Sequence, residues 1–407
     1  MSIHRLESSV RHYPWGARSW IADLLGRPAS GEPEAELWVG AHPGCPSRVL
    51  GGDGTTLDRL IASAPSKHLG DEVHERFGAR LPFLFKVLAA EQPLSLQAHP
   101  DAEQAREGFA RENAAGVPLD AAERSYKDDQ HKPELICALT PFAALHGFRP
   151  AAEALEVLGA FGVAEPTSPL FDAWRHLRES PDATGLRRFF TEVFRTPRDR
   201  LDEVIVSGIE RVAATPAERL RRWGDLPAWF ARLAALYPGD PGVVIALTLQ
   251  LVELAPGEAL FLGARNLHAY LGGLGLEVMA SSDNVLRGGM THKHVDVAEL
   301  ARVVEFASLP VDVLHPVEER TEPGVRVARY PSRAAEFELA LVTLEPGASW
   351  SLRGPGLVVG LEGEGTAEAA GERAPLARGT QLFCDAQHEV QLVGPCRLAV
   401  TTVRHTG

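Results

Sequence analysis

The stretch L-S-L-Q-A-H-P-D, Leu94 to Asp101, sets an amide, Gln97, two residues before an imidazole, His99, and then meets a proline. In an extended chain side chains alternate faces, so Ser95, Gln97 and His99 point one way and Leu94, Leu96 and Ala98 the other. Such a polar face is either a solvated edge or one wall of a metal site. Two further stretches offer partners for the second reading. H-K-P-E-L-I-C-A-L opens an apolar run with Glu134, and F-L-G-A-R-N-L-H-A-Y carries His268. Two imidazoles, a carboxylate and an amide oxygen form an N2O2 set acceptable to zinc and to several other divalent ions. These residues lie on separate segments, so spacing does not establish convergence. A lone strand histidine is more often a hydrogen-bonded or exposed group than a ligand. Glu134 alone could equally face water.

The segments that must position these groups fall into three textures. From about 81 to 145 the chain reads as short strands, L-P-F-L-F-K-V-L, L-S-L-Q-A-H and E-L-I-C-A-L. From about 150 to 235 the apolar spacing changes to threes and fours, the helical period, in A-A-E-A-L-E-V-L-G-A-F, L-F-D-A-W-R-H-L-R, L-D-E-V-I-V-S-G-I-E-R-V and W-F-A-R-L-A-A-L. Prolines punctuate that block near helix starts and ends. From Val243 onward, strands with Gly and Pro turns are expected to the C-terminus. Helices confined to one contiguous block suggest an inserted domain rather than βαβ alternation.

An internal repeat refines this. L-A-P-G-E-A-L-F-L-G-A (Leu254 to Ala264) returns as L-A-R-G-T-Q-L-F-C-D-A (Leu376 to Ala386), and a weaker match sets the run from Phe83 against that from Phe337. Two related β units follow, the first interrupted by the helices. A glycine turn before a short apolar strand suits a small antiparallel barrel of the cupin kind. Hand alignment places Ser351 opposite Gln97, Arg353 opposite His99, Gly356 opposite Glu134 and Val390 opposite His268. The ligand types are missing from the second copy while the apolar frame persists, which predicts a metal in the first unit and none in the second. The predicted fold is therefore mainly β with an α-helical insertion: tandem cupin-like jelly-roll barrels plus an all-α domain. Its parts are 1–149 (catalytic cupin, first part), 150–240 (inserted helices), 241–310 (catalytic cupin, second part) and 311–407 (metal-free cupin-like domain).

At 407 residues the chain is too long for one ordinary core. A formal charge of −13 argues against a non-specific nucleic-acid binder, so an anionic substrate requires a local basic cluster. No apolar run approaches the ~20 residues of a membrane helix, and the N-terminus lacks a signal-peptide layout. Four dispersed cysteines form no CxxC pair and read as reduced thiols of a cytoplasmic protein.

Y-P-W-G (13–16), A-E-L-W-V-G-A-H-P (35–43), L-S-L-Q-A-H-P-D, Y-K-D-D-Q-H-K-P-E (126–134), N-L-H-A-Y (266–270) and S-D-N-V-L-R-G-G-M-T-H-K (282–293) together resemble the class I mannose-6-phosphate isomerases, in the family's order. The resemblance implies a zinc enzyme interconverting mannose 6-phosphate and fructose 6-phosphate, in mannose utilisation or the supply of mannose 6-phosphate for activated mannose. It places one zinc per chain on Gln97, His99, Glu134 and His268, the family's active-site arginine on Arg287, and Glu277, Lys132, Lys293, Ser95 and Tyr270 in or near the pocket. No Gly-rich nucleotide loop of the longer bifunctional enzymes is present. Nothing in the motifs fixes the oligomeric state, and a monomer suffices.

Aldose–ketose exchange moves a proton between adjacent carbons through an enediol, so an oxyanion must be stabilised and one base must reach both carbons. Zinc meets the first demand as a Lewis acid, with Arg287 assisting it or fixing substrate. Glu277 is the first choice of base, since burial can raise a carboxylate's pKa; a zinc-bound hydroxide and Lys132 are rivals, and a plain ion pair with Arg287 or a lysine is the bland alternative. Arg287 and Lys293 are the expected basic cluster for the phosphate. Without the resemblance, Lys293 and Lys132 would read as surface lysines. Trp15, Trp38 and Tyr270 could line a sugar pocket, with core packing the more ordinary use of the tryptophans. Two other functions stay open: a cupin non-haem iron oxygenase, which a fourth ligand disfavours, and a non-catalytic sugar-phosphate binding protein.

Overall fold

The computed structural model describes residues 2–51, 54–319 and 322–404. Among these residues, two sheets of eleven strands each carry the β segments, and neighbouring strands in both run antiparallel. The front sheet is organised around one long strand, His268–Ala280. Its C-terminal half pairs with Phe83–Ala90 on one side and Glu134–Ala138 on the other. Its N-terminal end pairs with Gln97–Ala98 and Phe142–Phe148. In the back sheet, Cys396–Thr402 holds the matching central place between Glu338–Leu344 and Gly356–Ala369.

The repeat is visible as backbone register. In front, Leu84, Met279, Glu134 and Leu262 lie side by side across four strands. At the back, the row is Glu338, Thr402, Gly356 and Cys384. Both sequence matches therefore agree on one superposition, and Gly356 occupies the place of Glu134. The position of His268 is one residue off the hand alignment: Gln97 pairs with His268, whereas Ser351 pairs with Gln391, so Gln391 rather than Val390 is its counterpart. A gapless alignment from the glycine turn could not register this single-residue slip.

The two sheets share a core in which Phe83, Phe85 and Val87 meet Phe337, Leu357, Val359 and Phe383. Because strand side chains alternate, Lys86 on the same fully buried strand must face the other way, into the front unit. A lone charge in F-L-F-K-V-L-A-A is thereby committed to the interior side.

The helical block is real. It comprises helices Ala151–Ala160, Phe171–Glu179, Ala183–Arg195, Arg198–Ala214 and Leu226–Leu236, with shorter turns between. It packs on Leu96, Ala98, Leu267 and Ala269 in one apolar cluster. This answers why Leu96 and Ala98 alternate with Gln97 and His99: one face binds the helices, the other faces the site. Two expectations need correction. The stretch from Leu94 is regular strand only at Gln97–Ala98, although the alternation of faces persists. Val243 does not begin a strand; Pro241–Ala246 is a helix, capped by the Asp240 side chain, and strands resume at Leu249. A short apolar run has no decisive period, and Asp-Pro at its head was the helix-start signal. Among the described residues no helix is long and apolar enough to cross a membrane.

Candidate metal centre and its cavity

Strand pairing delivers the polar groups to one place. His268, at the head of the long strand, lies in register with Gln97 and Arg287 on two short strands, and paired residues of antiparallel strands point to the same side. Glu134 opens the neighbouring strand, and its Oε1 and Oε2 lie 3.2 Å from His99 Nε2 and 3.4 Å from His268 Nε2. The Gln97 amide ends 3.4 Å from His268 Nε2. A half-turn about the last bond of that amide puts its oxygen there.

The second nitrogens are occupied. His99 Nδ1 donates to the Asn284 carbonyl at 2.7 Å, and His268 Nδ1 donates to the Asn266 carbonyl at 3.0 Å. Each ring is thereby fixed with the Nε2 lone pair turned towards Glu134, the orientation typical of histidine ligands. His99 Nε2 and Glu134 Oε2 are buried without a hydrogen-bond partner. Burial, and then the Lys132 ammonium, push the His99 imidazole down to about 4, so it is neutral. Burial alone would raise the Glu134 carboxyl, but Lys132 and His99 hold it well below the usual range. Neutral imidazole nitrogen, ionised carboxylate and an amide oxygen form a donor set that fits zinc.

A cavity of about 1260 Å3 adjoins this cluster. Arg287 Nη1 donates to Ser95 Oγ at 2.9 Å, fixing the guanidinium beside Gln97. Lys293 stands exposed on the cavity wall, close enough for the Arg287 charge to lower its pKa. Lys132 is buried, with Nζ 2.9 Å from Glu134 Oε1. Glu277 pairs with Ile136 and Lys86 in the strand register, and Lys86 Nζ lies 2.9 Å from Glu277 Oε2. Burial raises the Glu277 carboxyl, against the opposing pull of Lys86. Tyr270, Trp15 and Trp38 also line the cavity. Both tryptophans are half-buried; Trp15 packs against a core cluster while lining the cavity, and strand pairing sets Trp38 beside Lys86.

Sequence reasoning named these groups but missed three that organise them. Lys86 was hidden in an apolar run. Glu36, within A-E-L-W-V-G, lies 3.7 Å from Lys86 and accepts from Trp38 Nε1 at 2.7 Å. Asn284, within S-D-N-V-L-R, receives the backbone N–H groups of Lys127 and Asp128 and donates to the carbonyls of Asp128 and Gln130. One residue thus ties the loop leading to Glu134 to the carbonyl that orients His99. Invisible long-range pairing, not residue type, concealed them.

Comparison with known proteins agrees with this geometry. Residues 3–151 match the family described as phosphomannose isomerase type I, catalytic domain. The chain is 38% identical over 407 residues to the mannose-6-phosphate isomerase of Escherichia coli K12, covering 98% of each. It is 35% identical to mannose-6-phosphate isomerase 1 of Arabidopsis thaliana, covering 96% of this chain and 91% of that one. A crystal structure of the Salmonella typhimurium mannose 6-phosphate isomerase with zinc and its substrate fructose 6-phosphate superposes with a TM-score of 0.89, at 35% identity over the full length of both chains.

Proposed function

Because the chain belongs to the type I phosphomannose isomerases, we propose that Gln97, His99, Glu134 and His268 hold one zinc ion and that the cavity converts D-mannose 6-phosphate to D-fructose 6-phosphate and back through an enediol. The observation that carries this is the pair of imidazoles, each fixed through Nδ1 and turned towards one buried carboxylate. Zinc bound there supplies Lewis-acid stabilisation of the oxygen on which charge develops. Arg287, one strand away, adds a permanent positive charge for the same oxyanion. Lys293, on the exposed part of the cavity wall, meets the phosphate as a point charge. Glu277 is the base that moves the proton between C1 and C2, its pKa raised by burial towards working pH and restrained by Lys86. Lys132 is better suited to keeping Glu134 ionised than to serving as base, since its ammonium rests on that carboxylate. Ser95 positions Arg287, and Tyr270 closes the apolar side of the pocket.

We further assign 1–149 and 241–310 to a catalytic cupin-like jelly roll, 150–240 to an inserted all-α domain and 311–407 to a cupin-like domain with no counterpart of this four-donor centre. The shared register of the two sheets supports the pairing of barrels. Sheet membership also crosses these limits: Ile3–Glu7 pairs with Gln381–Cys384 of the back sheet, and the helical run extends to Ala246. Four free cysteines suit a reducing, cytoplasmic setting. The isomerase relatives speak against the oxygenase and binding-only readings of the same site.

The test is metal analysis coupled to isomerisation of mannose 6-phosphate before and after chelation. Turnover that disappears with zinc and returns on its readdition is expected. Zinc-replete protein that makes no fructose 6-phosphate would overturn the reading.

A further inference from the structure

A second cluster lies outside the cavity, where the chain's first strand meets the back sheet. His4, His68 and Asp385 come from three segments, and one ligand atom from each lies within 4.8 Å of the others. They are 5%, 3% and 0% exposed, so they are shielded from bulk solvent. His4 Nε2 and His68 Nδ1 face the same atom, Asp385 Oδ2, at 3.7 and 3.5 Å. Among the described residues neither nitrogen has a hydrogen-bond partner.

We infer that His4, His68 and Asp385 form a second divalent-cation site of the zinc class, structural in role and separate from the catalytic centre. A hydrogen-bonded triad would bring the nitrogens to about 2.7–2.9 Å from the carboxylate, whereas both stand off. Ligands bonded to one tetrahedral ion at about 2.0–2.1 Å lie roughly 3.3 Å apart, close to the spacing seen. The catalytic cluster shows the same stand-off, with nitrogen–carboxylate separations of 3.2 and 3.4 Å.

The surrounding structure fixes each donor. Asp385 Oδ1 accepts from the Gln387 backbone N–H at 3.0 Å, and Oδ2 accepts from Gln387 Nε2 at 2.7 Å, leaving Oδ2 a lone pair. His4 pairs in register with Phe383 and stacks on its ring at 5.9 Å between centroids. The Ala386 N–H donates to the His68 carbonyl at 3.1 Å, pinning the short helix Pro65–Leu69 to the same turn. A bound cation would fasten the first strand, the helix and the back sheet at one point. With three protein donors, the fourth position falls to water or to the second carboxylate oxygen.

The experiment is zinc stoichiometry on the full chain, stripped with a chelator, refilled with excess zinc and desalted. Two equivalents per chain are expected. His4→Leu and His68→Gln should each hold one equivalent with isomerase turnover within about twofold of the parent, and Glu134→Gln should hold one with turnover lost. One equivalent in the parent, unchanged by His4→Leu or His68→Gln and abolished by Glu134→Gln, would overturn the inference. If the histidine variants do not fold, Glu134→Gln alone decides. A rise in its unfolding midpoint with added zinc, saturating at one equivalent, supports the site, and no binding overturns it. Failure of the isomerase reading would look different: two bound equivalents and no turnover.

Discussion

In the front sheet the row Leu84, Met279, Glu134, Leu262 turns a carboxylate towards a cavity. In the back sheet the matching row Glu338, Thr402, Gly356, Cys384 has a glycine there. Behind that glycine the interior is filled by Leu352, Val358, Leu376, Leu392 and Leu398. A Cβ at Gly356 would meet Thr402 Cγ2 at 3.3 Å, so the back row has closed over the space that the front row keeps open. The same frame thus supports a packed interior or a polar one. What distinguishes them is whether the buried polar groups have partners. A buried charge costs several kcal/mol unless it is compensated, and the front copy surrounds Glu134 and Glu277 with Lys132, Lys86 and fixed imidazoles.

Copying the back sheet's residue into the front gives the largest expected effect. Glu134→Gly should strip zinc from the catalytic centre and lower turnover by about a thousandfold or more, the several kcal/mol a Lewis acid supplies. Metal content and initial rate on mannose 6-phosphate measure it, and an active Glu134→Gly protein would break the comparison. Next comes Arg287→Ala, for which kcat should fall about a hundredfold to a thousandfold while zinc content stays constant. Zinc loss with Arg287→Ala would reassign this residue to structure.

A third change sharpens the account of the base. With Glu277 as the proposed base, activity is expected to fall as pH drops through that group's pKa, which burial raises. The Lys86 ammonium pulls that pKa down. Lys86→Met should therefore move the acid limb of the kcat/KM profile to higher pH, and an unmoved limb would remove Glu277 from the role. The smallest effect belongs to the back copy. Ser351→Ala and Arg353→Ala, at the places matching Gln97 and His99, should leave zinc content and turnover unchanged and shift stability by no more than about 0.5 kcal/mol. Arg353 is exposed and lies 3.7 Å from Glu389, too weak a contact to matter more.

Much of this was legible in the chain itself. The polar face of Gln97 and His99, Glu134 at a strand start and His268 after the repeat motif are local patterns with a chemical meaning, and the structure brings them together. The repeat exposed which positions carry chemistry, because its second copy lacks it. Lys86, Glu36 and Asn284 were illegible for a common reason. Each has a partner far along the chain, as with Lys86 and Glu277, which are separated by 191 residues, although Glu36 also bonds the nearby Trp38. Composition could not flag His4, His68 and Asp385 either, since an N-terminal strand joining the last sheet leaves no local trace. The helix Pro241–Ala246 was misread because six apolar-rich residues fit either period.

The pairing of Gln97 with His268 spans the whole helical block. A ribosome must therefore deliver everything through His268 before the four donors can meet, and closing so long a loop is entropically costly and slow. Until then the early strands wait with unpaired edges, exposed to misassociation. The donors can therefore converge only once the long strand His268–Ala280 has begun to form. A chain cut short within the helices would retain three of the four donors and still lack a centre.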